Sequence, residues 1–413
     1  MGTTMSRVAI WIVLGCGTYC AAVAWAEDWP QFRGPARDGK SVETGLLQRW
    51  PEGGPKRLWS ADGLGGGYTH AVVAGGKVYV TGMIERQAVL HAFDLNGKKF
   101  WHTVVAPEWA ASHPGTRSIP TVHDGRIYLT TGVGHVACLD AASGEKLWAF
   151  DSFDRYQAPH VKWGWAESPL VFDDKVIITP CGAKAAMVAL DRKTGKELWA
   201  SGPLEHKSSF CSPALITHRG RRMIVTITDT AVVAFDPEGG RLLWQHPYQN
   251  ARGNHPDTPI YHEGLLYVTS GYGLGAIGLQ LADDGLSVRR IWEQKRQDPC
   301  HGQAVLIDGY VYAASHITAK GRWSCVEFKT GKLAWEAEGI GRGGSVIFAD
   351  GLLYGYSEDG QVGLIKPSPK ACEVVGRFKV DFGQGPHWAH PTVAQGRLFV
   401  RHGQTMVCYD ITR

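Results

Sequence analysis

One short pattern recurs along the chain: an apolar run that ends near an acidic residue, a small turn closed by Gly, charged residues, and then an apolar residue followed by Trp. Its clearest copies are AFDLNGKKFW (Ala92–Trp101), CLDAASGEKLW (Cys138–Trp148), ALDRKTGKELW (Ala189–Trp199), AFDPEGGRLLW (Ala234–Trp244) and EFKTGKLAW (Glu327–Trp335), with weaker copies that end at Trp292 and Phe378. Self-similarity at a period of roughly 40 to 50 residues indicates a propeller or a solenoid. The repeat therefore outweighs the length of 413 residues, which alone would suggest two or three domains.

A second pattern lies between these copies, and it consists of two short apolar strands joined by a Gly or Asp turn. Its eight copies begin at His70, Ile119, Ser168, Ser212, Thr258, Gln303, Ser345 and His390. Strands of this length, rich in Val, Ile, Tyr and Leu and bounded by turns, are hairpin signals that leave no room for a helix between them. Each unit thus supplies four strands, and the sequence predicts an all-β, eight-bladed β-propeller of four-stranded antiparallel blades.

The stretch CLDAASGEKLW illustrates what the repeat does in such a blade. Asp140 can accept backbone N–H bonds in the turn, and Gly144 can adopt the positive φ that closes it. We expect Leu147 and Trp148 on the outer strand, facing a neighbouring blade, where a Trp can bury on the order of 200 Å². The acidic, basic and aromatic residues of this stretch are therefore interpreted as structural.

The two ends of the array predict how the ring closes. Leu58-Trp59 has no strands before it, whereas the last unit stops at Cys408–Asp410 without a Leu-Trp after it. Pairing the N-terminal strand into the last blade completes eight blades and removes an open sheet edge. We therefore assign residues 27–56 to a lead-in segment and residues 57–413 to the propeller.

Residues 1–26 are predicted to be a secretory signal peptide. Arg7 precedes an apolar run from Val8 to Trp25, and Ala24–Ala26 has the small-residue pattern of a cleavage site after Ala26. An uncleaved membrane anchor and lipidation at Cys16 are the alternatives. No later segment is apolar enough to span a bilayer. Because of the predicted signal peptide, we expect an exported protein, periplasmic or secreted. Removing the one arginine of this segment lowers the formal charge from +4 to +3, which is too weak to predict a nucleic-acid partner. We expect a monomer.

Seven cysteines remain after the predicted cleavage, and an odd number leaves at least one thiol unpaired within the chain. Cys138, Cys325 and Cys408 take the same strand position in three blades, which predicts small buried apolar residues. Cys181 and Cys211 could meet on one face of the propeller. A disulfide between these two is a hypothesis.

The loops that join the last strand of one blade to the first strand of the next should gather around the axis and form a funnel. These loops are rich in His and Trp. They hold Tyr68-Thr69-His70, Arg117-Ser118, Trp163–Glu167, Phe210-Cys211, Asn254–Asp257, Cys300-His301, Arg342 and His387–His390. Convergent polar groups in a concavity make the funnel the default binding site.

Four of these residues, His70, His255, His301 and His390, stand at or just before the first strand of four blades. They are candidate ligands of a transition metal, with Glu167 and Asp257 as carboxylate partners. Arg117 and Arg342 are candidates to hold an anionic group. The alternative is a polar, water-filled funnel in which these side chains only bond backbone carbonyls.

The repeats resemble the pyrroloquinoline-quinone (PQQ) type tryptophan-docking repeats, and they do so over almost all of the predicted mature chain. The lead-in DWPQFRGPARDGKS (Asp28–Ser41) is similar to the segment that opens quinoprotein alcohol dehydrogenases and many secreted PQQ-like propellers. The resemblance implies one of two functions. One branch binds PQQ and calcium in the funnel and oxidises alcohols or sugars, and the other, BamB-like branch binds no cofactor and serves as a scaffold.

On the quinoprotein branch, the resemblance implies calcium ligands of the types of Glu167 and Asn254, a base of the type of Asp257, and a Trp such as Trp165 or Trp388 stacked on the cofactor. The chain lacks the adjacent Cys pair of that branch and lacks long insertions. We therefore predict a non-catalytic scaffold that engages a protein partner or a small ligand at its funnel face. The alternatives are a PQQ- and Ca²⁺-dependent oxidoreductase and a metal-binding propeller.

Overall fold

The computed structural model describes residues 27–413, so the predicted signal peptide, its cleavage site and Cys16 lie outside the described residues. Within that range the chain forms 32 strands and one short helix, α1 (Ser152–Tyr156). The strands make eight four-stranded antiparallel sheets, which confirms the predicted eight-bladed propeller. No helix in residues 27–413 is long and apolar enough to cross a membrane.

Each blade is a meander in which consecutive strands pair. Blades 1 to 4 consist of β2 (Val72–Ala74), β3 (Lys77–Ile84), β4 (Gln87–Asp94) and β5 (Lys99–Pro107); β6 (Thr121–His123), β7 (Arg126–Thr130), β8 (His135–Asp140) and β9 (Lys146–Asp151); β10 (Leu170–Phe172), β11 (Lys175–Ile178), β12 (Val188–Asp191) and β13 (Glu197–Ala200); and β14 (Ala214–His218), β15 (Arg221–Ile227), β16 (Ala231–Phe235) and β17 (Leu242–Pro247). Blades 5 to 7 consist of β18 (Ile260–His262), β19 (Leu265–Ser270), β20 (Gly275–Leu281) and β21 (Val288–Gln294); β22 (Val305–Ile307), β23 (Tyr310–Ala314), β24 (Trp323–Glu327) and β25 (Leu333–Ala337); and β26 (Ser345–Ala349), β27 (Leu352–Tyr356), β28 (Gln361–Lys366) and β29 (Glu373–Lys379). Blade 8 contains β30 (Thr392–Ala394), β31 (Arg397–His402), β32 (Thr405–Asp410) and the N-terminal β1 (Arg57–Ala61).

The ring closes as the sequence predicts. Strand β1 pairs antiparallel with β32, and Trp59 lies opposite Cys408. The first strand of the propeller is therefore the outer strand of the last blade, and the open sheet edge that blade 8 would otherwise have is paired.

The tryptophan-ended repeat has the predicted turn. The Oδ1 atom of Asp140 accepts hydrogen bonds from the backbone N–H groups of Ala142 and Ser143, at 2.9 and 2.8 Å. Gly144 has a φ of 76°. The indole of Trp148 donates to the carbonyl oxygen of Arg192 in the next blade, 3.4 Å away. Leu147, which was expected to face a neighbouring blade as well, is instead 40% exposed, because successive side chains of a strand point to opposite faces.

The cysteines follow the prediction in part. Cys138, Cys325 and Cys408 lie on the third strands of their blades and are fully buried. The Cys181–Cys211 disulfide is absent, since both residues are free thiols. Cys211 packs into the core between blades 4 and 5, where its thiol hydrogen-bonds the carbonyl oxygen of Ser212.

The lead-in segment runs across the axis of the ring, a position that the sequence did not predict. Trp29 forms a bridge with Val73 in blade 1. The carbonyl oxygen of Pro30 accepts from the N–H of Val122 in blade 2, and the carbonyl oxygen of Gly39 accepts from Phe348 in blade 7. A segment bonded to blades on different sides of the ring must fill the central channel, and we call residues 29–39 the axial plug.

Candidate functional site

A cavity of about 320 Å³ opens at one end of the axis. Its wall comes mostly from loops between the last strand of one blade and the first strand of the next, and Phe32 of the axial plug, Tyr272 and His316 also line it. Most of the lining side chains are aromatic rings or histidines: Phe32, Tyr68, His70, His113, Trp163, Phe210, Tyr272, His301, His316, Trp388 and His390. A concave, largely apolar site with a few polar groups is the form that small-molecule and peptide pockets take.

The structure brings together about half of the candidate residues. Those that line the cavity are His70, Arg117, Asn254, His301, Trp388 and His390. Trp165, Glu167, His255 and Asp257 are buried away from it, and Arg342 is exposed on a loop outside it. The candidates therefore form a ring of lining groups and a separate layer of buried groups, and the two layers have different chemistry.

The four candidate histidines do not share one centre. The rings of His70 and His390 stack with centroids 5.9 Å apart. His390 Nε2 lies 3.1 Å from the carbonyl oxygen of His301. His255 lies apart from them, with its ring nitrogens 2.9 Å from Ser270 Oγ and 3.1 Å from the carbonyl oxygen of Asp229.

Burial keeps three of these histidines neutral at ordinary pH. It lowers the pKa of His70 and of His255 to about 4, and that of His390 to about 3. Across residues 27–413 no group of three or more His, Cys, Asp or Glu side chains is arranged to hold a metal ion.

Glu167 and Asp257 are fully buried carboxyl groups. Glu167 Oε1 accepts from the backbone N–H of Thr179 at 2.9 Å. Burial, only partly opposed by the bond to Thr179 and by the charge of Arg37, raises the pKa of Glu167 to about 8. Burial also raises the pKa of Asp257 well above its ordinary value, and both of its carboxyl oxygens lack a hydrogen-bond partner among the described residues.

The axial plug places two buried arginines near these carboxyl groups. Arg37 donates to the carbonyl oxygens of Ser168 and Pro213, at 3.3 and 2.9 Å, and also to that of Pro169. Arg33 donates to the carbonyl oxygen of Ala304 at 2.7 Å. Burial lowers the pKa of each arginine to about 10, so both stay charged at neutral pH.

This buried layer does not fit a calcium-bound quinone. Calcium takes six or more oxygen ligands, whereas the two ligands that the resemblance implies lie in different layers: Asn254 lines the cavity and Glu167 is buried away from it. Trp165, which was a candidate to stack on the cofactor, packs instead against Phe153 in the core, with ring centroids 5.2 Å apart. Of the groups that the quinoprotein resemblance implies, Glu167 is bonded to Thr179 and Trp165 packs in the core, whereas Asn254 Oδ1 and both carboxyl oxygens of Asp257 have no partner among the described residues.

Like Arg117, His301 is a cationic group of the cavity wall. Its Nδ1 lies 2.9 Å from Glu358 Oε1, and its ring stacks on Trp388 with centroids 4.1 Å apart. Burial by itself lowers the pKa of His301, but the interactions with Cys300 and Glu358 outweigh burial and raise the pKa to about 9. The imidazolium therefore combines an ion pair with a cation–π contact.

The sequence did not predict several of the lining residues, because they come from other parts of the fold. Tyr272 and His316 lie on loops between the second and third strands, and Phe32 lies in the plug. The rings of Tyr272 and Trp163 are parallel to within 3°, with centroids 6.3 Å apart. The only available signal was the presence of aromatic residues after the second strands of blades 5 and 6.

Comparison with known proteins gives one matching family model. The model described as outer membrane protein assembly factor BamB matches residues 85–337, which is more than half of the chain. The BamB of Moranella endobia is 24% identical over 268 residues, and the match covers 59% of this chain and 62% of that protein. The quinoprotein alcohol dehydrogenase PedH of Pseudomonas putida is 26% identical over 205 residues, or 44% of this chain and 33% of the dehydrogenase.

Solved structures show the same fold at lower identity. The BamB of Moraxella catarrhalis superposes with a TM-score of 0.63 and 14% identity, over 86% of this chain and 100% of that one. A europium-containing methanol dehydrogenase superposes with a TM-score of 0.67 and 15% identity, over 92% and 90%. The matched regions span only a third to three fifths of the two curated relatives, so their whole-protein activities do not transfer with the fold.

Proposed function

Since the chain belongs to the family of outer membrane protein assembly factor BamB, we propose that it is an exported, monomeric propeller that acts as a non-catalytic binding and scaffolding protein. Its binding site is the mouth of the axial cavity. The occupant is a segment of a partner protein of the cell envelope, consistent with the assembly role in the name of the BamB relatives. The export signal in residues 1–26 is part of this proposal.

The observation that carries the proposal is the division of the axis into two layers. The cavity wall consists of aromatic rings, with Arg117 and His301 as polar anchors. Aromatic and Arg side chains around a desolvated pocket are the residues that dominate protein–protein binding. The axial plug and its arginines lie next to Glu167 and Asp257 in the channel. A partner segment would therefore bind in the cavity and would not pass further along the axis.

Site-specific photocrosslinking tests this proposal. A photoreactive phenylalanine analogue replaces Tyr68, which lines the cavity, and a matched replacement is made at Leu198, which is 45% exposed on the outer strand β13. We expect a discrete crosslinked protein of the envelope at Tyr68 and none at Leu198. Equal crosslinking at both positions, or no product at Tyr68, would count against the funnel mouth as the binding surface.

The alternative is a quinoprotein oxidoreductase, and the dehydrogenase relatives are the reason to test it. The purified protein is titrated with PQQ in the presence of Ca²⁺, and dye-linked oxidation of alcohols and sugars is measured. The scaffold proposal predicts no oxidation. Calcium-dependent oxidation that is lost in Glu167→Ala would overturn it.

The third possibility, a transition-metal protein, is tested by metal analysis of the protein as isolated. Stoichiometric zinc or copper that disappears in a His255→Ala/His301→Ala double variant would support it. We expect no such metal, because His255 and His301 belong to separate hydrogen-bonding environments.

A further inference from the structure

Three functional side chains form a chain of contacts at the wall of the cavity. The Sγ atom of Cys300 lies 3.9 Å from Nε2 of His301, within hydrogen-bonding reach of sulfur. The other ring nitrogen of His301, Nδ1, lies 2.9 Å from Glu358 Oε1. A thiol next to an imidazole that is itself oriented by a carboxylate is the arrangement of an activated nucleophile.

Cys300 also differs from the other cysteines in its surroundings. Cys138, Cys325 and Cys408 are enclosed in strands between blades, whereas Cys300 lines the cavity. An independent feature of the same wall indicates that a ligand binds there. Asn254 is only 6% exposed and lines the cavity, yet its Oδ1 atom has no hydrogen-bond partner among the described residues. A buried acceptor without a partner is costly unless a ligand or water completes it.

We propose that Cys300 is a nucleophilic thiol that captures α,β-unsaturated carbonyl compounds which enter the cavity, with His301 as its proton relay and Glu358 as a positioning residue. This inference goes beyond the scaffold function and does not depend on it, because capture needs only the cavity and its wall.

The step conserves atoms and electrons without a further reagent. In the proposed step the thiol proton moves to Nε2 of His301, which leaves the thiolate, the nucleophilic form, beside an imidazolium. The sulfur electron pair forms a C–S bond to the β-carbon while the C=C π pair moves to the α-carbon and its carbonyl as an enolate. His301 then returns the proton to the α-carbon. The net change is addition of S–H across C=C, and nothing is oxidised or reduced.

The cavity has the size and the lining groups to hold a small electrophile of this class. Its volume of about 320 Å³ suits a small molecule. A flat conjugated carbonyl can stack on Trp388, whose ring lies beside His301. The side chain of Arg117, which lines the same wall, can donate to its carbonyl oxygen, and Asn254 Oδ1 can accept from a hydroxyl or amide group elsewhere on the ligand.

The test uses N-ethylmaleimide, a small cyclic member of this class, on the full folded chain. Labelling rates are measured for each cysteine by mass spectrometry of peptides after timed quenching. We expect Cys300 to be labelled at least about tenfold faster than Cys372, the half-buried cysteine that serves as the internal control. Equal rates, or preferential labelling of Cys372, would overturn the proposal.

Variants separate the proposed roles from general structural effects. We expect His301→Asn and Glu358→Gln each to slow labelling of Cys300 about tenfold, Glu358→Asp to restore part of the rate, and none of them to change the rate at Cys372. Unfolding would expose Cys138, so labelling of Cys138 identifies an unfolded variant. If His301→Asn unfolds, the labelling rates of the two Glu358 variants test the proposal. An unchanged labelling rate of Cys300 in Glu358→Gln would show that Glu358 does not position His301 for the reaction. Crosslinking at Tyr68 is scored separately, so failure of one proposal leaves the other intact.

Discussion

The guanidinium of Arg37 donates a hydrogen bond to the carbonyl oxygen of Pro213, 2.9 Å away and 176 positions later in the chain. The same side chain also bonds the carbonyl oxygens of Ser168 and Pro169. One residue of the lead-in therefore joins blade 3 to blade 4 from inside the ring. The axial plug acts as an internal tie as well as the base of the cavity.

Replacing Arg37 should strongly destabilise the propeller. In Arg37→Met the buried carbonyl oxygens of Ser168 and Pro213 lose their donor, whereas that of Pro169 keeps its hydrogen bond from Thr121. We expect the free energy of unfolding to fall by about 2 kcal/mol or more, since each unsatisfied buried group costs about 1 to 3 kcal/mol. Chemical denaturation measures the loss. Arg49→Met is the matched control, because Arg49 is exposed in the same lead-in, and its cost should stay within about 0.5 kcal/mol. Equal costs would mean that the plug does not tie the blades.

The fold could be predicted from the sequence because the repeat encodes it locally. Each turn needs an acceptor such as Asp140 and a residue with positive φ such as Gly144, and these requirements recur in the five clear copies of the repeat. The path of the lead-in could not be predicted in this way. Arg33 and Arg37 contact carbonyl groups that are 131 to 271 positions away, and no local pattern records such partners.

The docking of each Trp on the next turn gives a second prediction. A Cβ atom at Gly144 would lie 2.6 Å from Cε3 of Trp101, whereas a Cβ at Gly125 would meet nothing within 4 Å, although both glycines have positive φ. Gly125→Ala should therefore cost only the backbone strain, about 1 to 2 kcal/mol. Gly144→Ala should cost about 1 to 3 kcal/mol more from overpacking. Urea denaturation of both variants measures the difference, and similar costs would show that Trp101 does not dock tightly.

The candidate site was predictable only in its position. Seven of the eight loops that follow an outer strand line the cavity, because propeller topology brings them to one end of the axis, and the exception is the loop that carries Arg342. Which of their side chains point into it depends on packing. His255 and Glu167 turn inward to bond Asp229, Ser270 and Thr179, whereas Tyr272 reaches the cavity from a different loop.

The buried carboxyl group of Glu167 should make stability depend on pH. Its pKa is raised to about 8 by burial, so the folded protein keeps a proton that the unfolded chain releases near pH 4.5. The contribution of Glu167 is therefore complete below about pH 4.5 and is lost as the pH rises through 8, at up to about 1.4 kcal/mol per pH unit. Glu167→Gln keeps an acceptor for Thr179 and should flatten the stability profile.

The comparison is best made between pH 6.5 and 8. Below that window His70 and His390, whose pKa values are lowered, act with the opposite sign, because they lose stability as the pH falls. Wild type, Glu167→Gln and the exposed-site control Glu205→Gln are denatured over this window. The difference between their profiles gives the contribution of Glu167 to the pH dependence of the free energy of unfolding. A profile for Glu167→Gln that is as steep as that of wild type would show that Glu167 is not protonated in the folded state.

The pairing of His301 with Glu358 gives the last prediction. Bonds to Cys300 and Glu358 overcome the effect of burial and raise the pKa of His301 to about 9, while burial and the charge of His301 lower the pKa of the neighbouring His316. Glu358→Gln removes the anion 2.9 Å from Nδ1, so the pKa of His301 should fall by one unit or more. The His301 ring is followed by NMR titration, and His255, which lies in a separate environment, is the internal control. A raised His pKa contributes stability that is complete below about pH 6.5 and is lost as the pH rises through about 9. Glu358→Gln should therefore be less stable than wild type below pH 6.5, and its stability should fall less steeply between pH 6.5 and 9. A His301 midpoint that does not move would show that Trp388 and Cys300, rather than Glu358, hold the charge.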